Sequence, residues 1–506
     1  MSNSIVCPPA SLPTALYTAA QVRELDRIAI EEFGIAGIVL MKRAGRAAFD
    51  YLLQRWPDAA HFHVFCGTGN NGGDGFVIAG LLAARNLPVS VWLVGDPGKV
   101  VGAALQARQF AEAAGVAIEH FSGVVPPAGV IVDALLGTGS KGEVRAPLSD
   151  AIAAINAAAL PVLSIDIPSG ICSDSGRSLG AGVRASATIS FIGLKRGLFT
   201  GAAVDHCGEI IFADLALPPQ VYARVSASAH RLDLNGLSQS LPPRRRNAHK
   251  GLHGHALIVG GDTGMAGAAL MAAQAAGRVG AGLVSCATRP EHVAAFVARA
   301  PEVMAHGVSC RAELAPLLER ASVIVLGPGL GCSAWSEPLF ECAWQHLQDT
   351  GKPAVIDADA LNLLATGAII GRPHYSSWVL TPHPGEAARL LGIANGEVQR
   401  DRFESARALQ QRYGGAVVLK GAGTLVASAD EIGIATAGNP GMASGGMGDV
   451  LSGVVGGLLA QHLDIATAAQ AGVVIHGMAG DRAAADGERG LLATDLLPHL
   501  RALVNP

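Results

Sequence analysis

The chain is 506 residues long, half of them hydrophobic and only 15% charged, with 64 glycines and a formal net charge of -4. That length is too great for one ordinary core and points to two α/β domains, while the near-balanced charge gives no electrostatic case for nucleic acid or an anionic membrane as partner. Eight scattered cysteines without a C-x-x-C pair argue against a zinc framework; with no signal-like N-terminus and no apolar run of about 18 residues, a reduced, cytoplasmic protein without a membrane span is expected.

Residues 16–55 carry the apolar spacing of helix, through Val22, Leu25, Ile28 and Ala29 and then from Ile38 to Phe49. From residue 61, short apolar runs read as buried strands: His61–Cys66, Val89–Val94, Val130–Asp133, Val162–Asp166, Ala187–Phe191 and Glu209–Phe212. Helical stretches between them give the β-α-β rhythm of a doubly wound, parallel sheet. Residues 220–250 break the rhythm with a turn-rich stretch and a basic cluster, Arg244-Arg245-Arg246 with His249 and Lys250, which reads as a solvated linker. The rhythm restarts with strands at His255–Val259, Leu283–Ala287, Val323–Leu326, Ala354–Asp357, Val379–Leu380, Ala416–Lys420 and Thr424–Ala427, and helices near 266–279, 384–392, 399–413, 446–460 and 464–483. The expected division is a domain over 1–225, a linker over 226–247 and a domain over 248–506.

After the first buried strand comes Gly67-Thr68-Gly69-Asn70-Asn71-Gly72-Gly73-Asp74-Gly75, ahead of an apolar helix. Glycines at a strand-to-helix turn let backbone N–H groups close on an anion. A lone G-x-G-x-x-G is a weak signal; the asparagines and Asp74 add oxygens and amides that a plain dinucleotide turn does not need. Two later strand ends carry Asp133 ahead of Gly137-Thr138-Gly139, and Asp166-Ile167-Pro168-Ser169-Gly170. C-terminal strand ends line the ligand crevice of an open α/β sheet. Asn71, Asp133 and Ser169 are therefore candidates to offer oxygens to a hard cation, and Asp166 to shuttle a proton. Each alone reads equally well as a loop cap; three at successive strand ends do not.

In the second half, Gly438-Asn439-Pro440-Gly441-Met442-Ala443-Ser444-Gly445-Gly446-Met447-Gly448-Asp449 opens an apolar helix. The glycines make an anion site, and Asp449 at its lip is placed to take a proton from a hydroxyl about to meet a phosphate. Four more loops follow strands: Gly260–Ala268, Gly327–Gly331, Thr381–Glu386 and Lys420–Thr424. Lys420 and Thr424 are candidates for phosphate or ribose contacts, although the same turn reads as an ordinary hairpin.

G-x-G-N-N-G-G-D-G, V-D-A-L-L-G-T-G and D-I-P-S-G, in that order over about residues 15–220, resemble the epimerase domain of the NAD(P)H-hydrate repair enzymes, the YjeF N-terminal family. The resemblance implies potassium at Asn71, Asp133 and Ser169. It implies hydrate contacts at Asn70, Asn71, Gly72, Gly73 and Asp74, at Gly137, Thr138, Gly139, Ser140, Lys141, Gly142 and Glu143, and at Asp166. Lys42 stands where the pattern has an acidic residue after the methionine.

H-K-G at His249–Gly251, G-M-A-G-A, G-P-G-L-G, T-P-H-P-G-E, K-G-A-G-T and G-N-P-G-M-A-S-G-G-M-G-D, over about 245–500, resemble the ADP/ATP-dependent NAD(P)H-hydrate dehydratases of the ribokinase-like superfamily. The implied fold is a Rossmann-like doubly wound domain followed by a ribokinase-like α/β/α domain. Nucleotide contacts are implied at Lys420, Gly421, Ala422, Gly423, Thr424 and Gly448, and hydrate contacts at Ala268, Gly329, His383 and Asp449. Glu386 falls where related kinases place a glutamate that organises Mg²⁺ through water. The implied activities are epimerisation of R- and S-NAD(P)HX, with Asp166 handling the proton, and dehydration of S-NAD(P)HX at the expense of ADP or ATP, with Asp449 as base. The implied partners are NADHX, NADPHX and ADP, with no nucleic acid and no membrane, and the expected assembly is a homo-oligomer. Two rivals are a small-molecule kinase, which leaves the first domain without a task, and a nucleotide-binding scaffold, which would not need Asp166 and Asp449.

Overall fold

The computed structural model describes residues 6–7, 12–140, 142–234, 241–371 and 373–505. Two compact units divide the chain between His230 and Arg231. Each is described in turn.

The first unit contains strands β1 (Val6–Cys7), β2 (Ala15–Tyr17), β3 (Phe62–Cys66), β4 (Val89–Leu93), β5 (Ile118–His120), β6 (Val130–Ala134), β7 (Val162–Ile165), β8 (Ala187–Phe191), β9 (Leu194–Lys195) and β10 (Glu209–Ala213), and the division falls within β11 (Ala229–Leu232). Its helices include α1 (Ala19–Glu31), α2 (Gly37–Arg55), α3 (Asn70–Ala84), α4 (Gly102–Ala113) and α5 (Leu148–Ala157). The main sheet runs β1-β10-β8-β7-β6-β3-β4-β5, parallel except for β1. Side chains alternate across it. Phe62, Val64 and Cys66 of β3 and Val130, Val132 and Ala134 of β6 enter the core under α1 to α4. Phe65 and Ile131 point the other way, into a smaller core with Ile152 and Ile155 of α5. The chain leaves β3 toward β4 and β5, then returns to β6 on the other side. The order thus reverses between β3 and β6, and this reversal opens a crevice at their C-terminal ends.

In the second unit the strands are β12 (His255–Val259), β13 (Leu283–Thr288), β14 (Met304–Gly307), β15 (Val323–Leu326), β16 (Ala354–Ile356), β17 (Trp378–Leu380), β18 (Ala416–Leu419), β19 (Thr424–Ala427) and β20 (Ile432–Ala435). They run in the order β14-β13-β12-β15-β16-β17-β18-β19-β20, parallel as far as β18 and antiparallel beyond. The reversal falls between β12 and β15. Among the helices are α6 (Ala266–Arg278), α7 (Ala358–Thr366), α8 (Pro384–Leu391), α9 (Arg402–Tyr413) and α10 (Met447–Ala460). The abundance of alanine and glycine has its use here. Ala269, Ala272, Ala273, Ala275 and Ala276 of α6 share a core with Val450, Leu451, Val454, Val455 and Leu458 of α10. A Cβ at Gly453 would lie 2.0 Å from the Ala272 carbonyl oxygen, so the two helices meet backbone to backbone. That contact fixes the helix that carries Asp449.

Several expectations are corrected in detail. Residues 16–55 are not one helical stretch: β2 comes first, and α1 and α2 separate around Gly34, whose φ is 68°. Strands β5 and β14 were not foreseen, being short edge strands with exposed residues. β20 and the helices Arg311–Arg320, Ser336–Thr350 and α7 were not foreseen either. Arg244 of the basic cluster is not merely solvated, since its guanidinium donates to Gly280 O and Gln461 Oε1. Among the described residues no helix is long and apolar enough to cross a membrane.

Candidate active sites

The first site is a cleft of about 940 Å³ at the β3/β6 reversal. Asn70, Asn71 and Asp74 reach it from the first turn of α3, Gly137, Thr138, Gly139 and Ser140 from the loop after β6, Asp166 from the end of β7, Lys195 from β9 and Asp26 from α1. Gly69 caps α3 without any side-chain hydrogen bond, in contrast to the Thr18–Gln21 capping box of α1. The start of α3 thus remains open to an anion. Gly142 and Glu143 line a smaller neighbouring hollow instead. Lys141 lies outside the described residues. Lys42 does not line the cleft; its ammonium stands 5.9 Å from the Phe110 ring centroid.

Gly72 and Gly73 are also absent from the lining and serve close packing. A Cβ at Gly72 would sit 2.0 Å from the Gly67 carbonyl oxygen. Gly72→Ala is expected to push the loop off α3, cost about 1–3 kcal/mol of first-unit stability and remove the chemistry of this cleft, while that of the second unit survives. Activity assays of both units with thermal unfolding check this.

Asp166 is held in a left-handed conformation, φ 68°, uncommon outside glycine and characteristic of a strained functional position. Its Oδ1 pairs with Lys195 Nζ. Lys195 is 1% exposed and also donates to Ser190 Oγ at 3.1 Å and Phe191 O at 3.0 Å. Sequence reasoning missed Lys195 and Asp26, though both leave a trace. Lys195 is a charge directly after the apolar run Phe191-Ile192-Gly193-Leu194, and Asp26 interrupts the apolar face of α1. Burial pushes the Asp26 carboxyl up to about 6, with Lys195 opposing and Asp166 adding to the rise. Burial, then Asp166 and Asp26, hold Asp74 well above the usual carboxylate range.

Asp133 is fully buried and accepts four hydrogen bonds. Ser169 Oγ (2.5 Å) and Leu135 N (3.3 Å) reach Oδ1; Ser164 Oγ (2.8 Å) and Ser169 N (2.9 Å) reach Oδ2. Burial still raises its pKa against those bonds, and among the described residues no lysine or arginine pairs with it. Nearby, the buried Asn71 Nδ2 has no hydrogen-bond partner. A buried carboxylate without a counter-charge, beside Ser169 Oγ, fits a monovalent cation.

The second site gathers at the β12/β15 reversal and the strand ends beyond it. Asp357, which follows β16 and is 1% exposed, accepts from Lys420 Nζ at 2.8 Å and from Ser452 Oγ at 2.5 Å. Burial works to raise its pKa, but Lys420 and the hydrogen bonds outweigh it and hold the carboxyl below its ordinary value. Gly446, at φ 90°, caps α10 without a side-chain bond and leaves the helix start open to an anion. A Cβ at Gly448 would lie 3.2 Å from Lys420 Nζ and 3.7 Å from Asp357 Oδ2, so the ion pair abuts the first turn of α10. Asp449, on that turn, is pushed up to about 7 by burial; Asp357, Asp359 and Glu386 add to the rise and Lys420 opposes it.

The Lys420–Thr424 segment is the turn between β18 and β19, with Gly421 at φ 137°, Gly423 at φ 62° and Thr424 Oγ1 donating to Gly421 O at 2.9 Å. Beneath it the buried Arg402 guanidinium donates to Leu419 O (3.2 Å), Lys420 O (3.3 Å) and Gly423 O (3.5 Å), a support that sequence reasoning did not single out. Ala422 belongs to the same turn. Gly329 and Ala268 adjoin: a Cβ on the glycine would be 3.0 Å from Ala268 Cβ. His383 caps α8, its Nδ1 accepting from Gly385 N at 3.0 Å while Glu386 Oε2 accepts from His383 N at 2.7 Å. Glu386 Oε2 also lies 3.8 Å from Lys420 Nζ. Among the described residues no three His, Cys, Asp or Glu side chains form a metal cage. The acidic set around Asp449 instead fits Mg²⁺ held largely by water and phosphate oxygens.

Residues 37–197 match the family model described as YjeF-related protein N-terminus, and residues 256–501 the model described as NAD(P)H-hydrate dehydratase. The bifunctional NAD(P)H-hydrate repair enzyme Nnr of Coxiella burnetii is 52% identical over 496 residues, 97% of this chain and 100% of that one. Its counterpart in Escherichia coli is 45% identical over 502 residues, 98% and 95% of the two chains. A solved structure of a hypothetical protein from Streptococcus mutans, SMU.573, covers 54% of this chain and 98% of its own, with a TM-score of 0.51 and 30% identity.

Proposed function

This chain belongs to the bifunctional NAD(P)H-hydrate repair enzymes, an epimerase domain fused to a dehydratase domain, and from that premise we propose how its residues divide the work. Residues 1–225 form the epimerase, 226–247 the linker and 248–506 the dehydratase. The epimerase interconverts R- and S-NAD(P)HX. The dehydratase returns the S form to NAD(P)H, consuming ADP or ATP.

Water is lost slowly from the hydrate because hydroxide is a poor leaving group. Asp449 takes the proton from the C6 hydroxyl, and that oxygen attacks the terminal phosphoryl of the nucleotide. The lone pair of the nicotinamide ring nitrogen then expels phosphate and forms a C6=N1 bond; loss of a C5 proton makes the C5=C6 double bond and returns the C6=N1 pair to N1, leaving NAD(P)H, phosphate and AMP or ADP. The open start of α10 and Lys420 stabilise the charge on the transferring phosphoryl. Lys420–Thr424 and Gly448 hold the nucleotide; Ala268, Gly329 and His383 hold the hydrate. Mg²⁺, organised through water by Glu386, supplies further charge neutralisation. The observation that carries this reading is Asp449, raised to about 7, on an uncapped glycine-led helix beside the Lys420–Asp357 pair.

In the epimerase cleft Asp166 handles the proton, and Asn70–Asp74 with Gly137–Glu143 hold the hydrate. Asn71, Asp133 and Ser169 hold potassium, which neutralises the buried Asp133 charge and so fixes the loops after β6 and β7. A cytoplasmic homo-oligomer completes the reading; the described cysteines are all free thiols. The test is recovery of NADH absorbance from mixed NADHX epimers, with ADP and ATP in parallel. No recovery with either nucleotide refutes the dehydratase reading. Asp166→Asn is expected to leave one epimer consumed at full rate and to slow consumption of the other by about 10²-fold or more.

A further inference from the structure

We propose that Asp26 is the second proton-handling residue of the epimerase, the acid partner of Asp166, reaching the same cleft from a different element. The inference rests on the epimerase reading of this unit. Inversion at one carbon requires a proton to be delivered on one face and removed on the other, and a single carboxyl group serves one face.

Five carboxyl groups line the cleft, Asp26, Glu31, Asp74, Asp96 and Asp166; of these, Asp26, Asp74 and Asp166 interact with one another and with one buried ammonium, Lys195. Asp166 takes that ammonium as its ion-pair partner. Asp26 forms no hydrogen bond with any described residue, yet it lines the cleft and feels both members of the pair. It enters from α1, whereas Asp166 enters from the end of β7. The charged groups lining the cleft with it are Arg23, Arg27 and Glu31 on its own helix, Asp74 on α3, Asp96 and Lys99 after β4, Asp166 after β7, and Lys195 on β9. Arg27 is engaged by Glu24, Glu31 and Glu32 and does not contribute to the shift of Asp26. Within that interacting set, one ammonium cannot balance three carboxylates. Asp26, which no described residue holds by a hydrogen bond, is therefore free to take up and release a proton, consistent with its rise to about 6, and burial raises Asp74 as well.

The steps balance without a co-reactant. Asp26 gives its proton to the C6 hydroxyl; the C6–O bond breaks, oxygen leaves as water with the bonding pair, and the N1 lone pair forms the C6=N1 bond. A water on the opposite face bonds C6 through oxygen and loses a proton to Asp166, and the C6=N1 pair returns to N1. The other epimer follows the same steps with the two carboxyl groups exchanged. Nothing is oxidised or reduced, and solvent resets the proton between turnovers.

Asp26→Asn in the full chain, given mixed NADHX epimers and nucleotide, tests this. Dehydration of the accepted epimer continues at the wild-type rate, whereas conversion of the other slows by about 10²-fold or more. Asp26→Glu, which keeps an acid, restores a measurable part of it. In wild type, kcat/KM for the direction that needs protonated Asp26 falls as pH rises through about 6, and Asp26→Asn loses that limb. Unchanged epimerisation in Asp26→Asn overturns the proposal. So does equal loss in the Asn and Glu variants, which would make Asp26 a packing residue. If Asp166→Asn also epimerises normally, the assignment of the cleft has failed, a result separate from either of these.

Discussion

Asp449→Asn is expected to abolish NADH recovery from both epimers, lowering dehydration by about 10²–10⁴-fold, the span of a lost general base. Asparagine keeps the size of the side chain and its place on the first turn of α10, so folding and nucleotide binding should persist. What disappears is a carboxylate that can accept the C6 hydroxyl proton. The wild-type pH profile carries the same information. Burial pushes Asp449 up to about 7, and a base acts in its deprotonated form. Dehydratase kcat/KM should therefore rise about tenfold per pH unit below about 7 and level off above it. In Asp449→Asn the residual rate should show no such limb. Full recovery by this variant would sink the base assignment.

Lys420→Met should have the second largest effect, and on two quantities at once. Asp357 is 1% exposed and depends on Lys420 Nζ at 2.8 Å for its charge. Removing the ammonium leaves a buried carboxylate with only Ser452 Oγ and Thr381 near it. Breaking such a pair from one side costs about 3–5 kcal/mol, because the remaining charge is uncompensated. The unfolding midpoint of the second unit should fall accordingly. Lys420 also opposes the upward shift of Asp449, so any surviving activity should have its rising limb displaced to higher pH. Combining Lys420→Met with Asp357→Leu removes both charges and should return most of the stability but none of the activity. A double variant as unstable as the single one would mean that the ion pair is not what holds this region.

The glycine-led turns were legible because local chemistry requires them. A turn between strand and helix that must receive an anion needs residues without Cβ, and Gly67–Gly75 and Gly438–Gly448 announce this in the chain itself. The strands β8, β12, β15 and β19 were legible to the residue because each is a short, fully or nearly buried apolar run with turn residues on both sides. β5 was not legible: an edge strand has one neighbour and an open flank, so Ile118-Glu119-His120 lacks the apolar signature. Gly72 and Gly73 show the opposite failure. They sit inside a binding motif, but they admit the Gly67 backbone and Met41 rather than line the cleft.

By itself, then, the sequence determined which strand ends carry chemistry and in what order, since periodicity and turn composition are local properties. It also carried enough motif detail to identify both halves of the family. What the tertiary structure decided were the partnerships. Lys195 meets Asp166 across 29 residues, Lys420 meets Asp357 across 63, and Ser452 reaches Asp357 across 95. No periodicity encodes such pairs, because parallel crossovers bring distant strand ends together only once the sheet order is set. Burial then sets the charge states: a carboxyl in a low-dielectric cleft is raised or lowered by neighbours that the chain does not place beside it. That is why Asp449 and Asp166 could be named from the chain alone, whereas Asp26, Lys195 and Asp357 became visible only when the sheets were assembled.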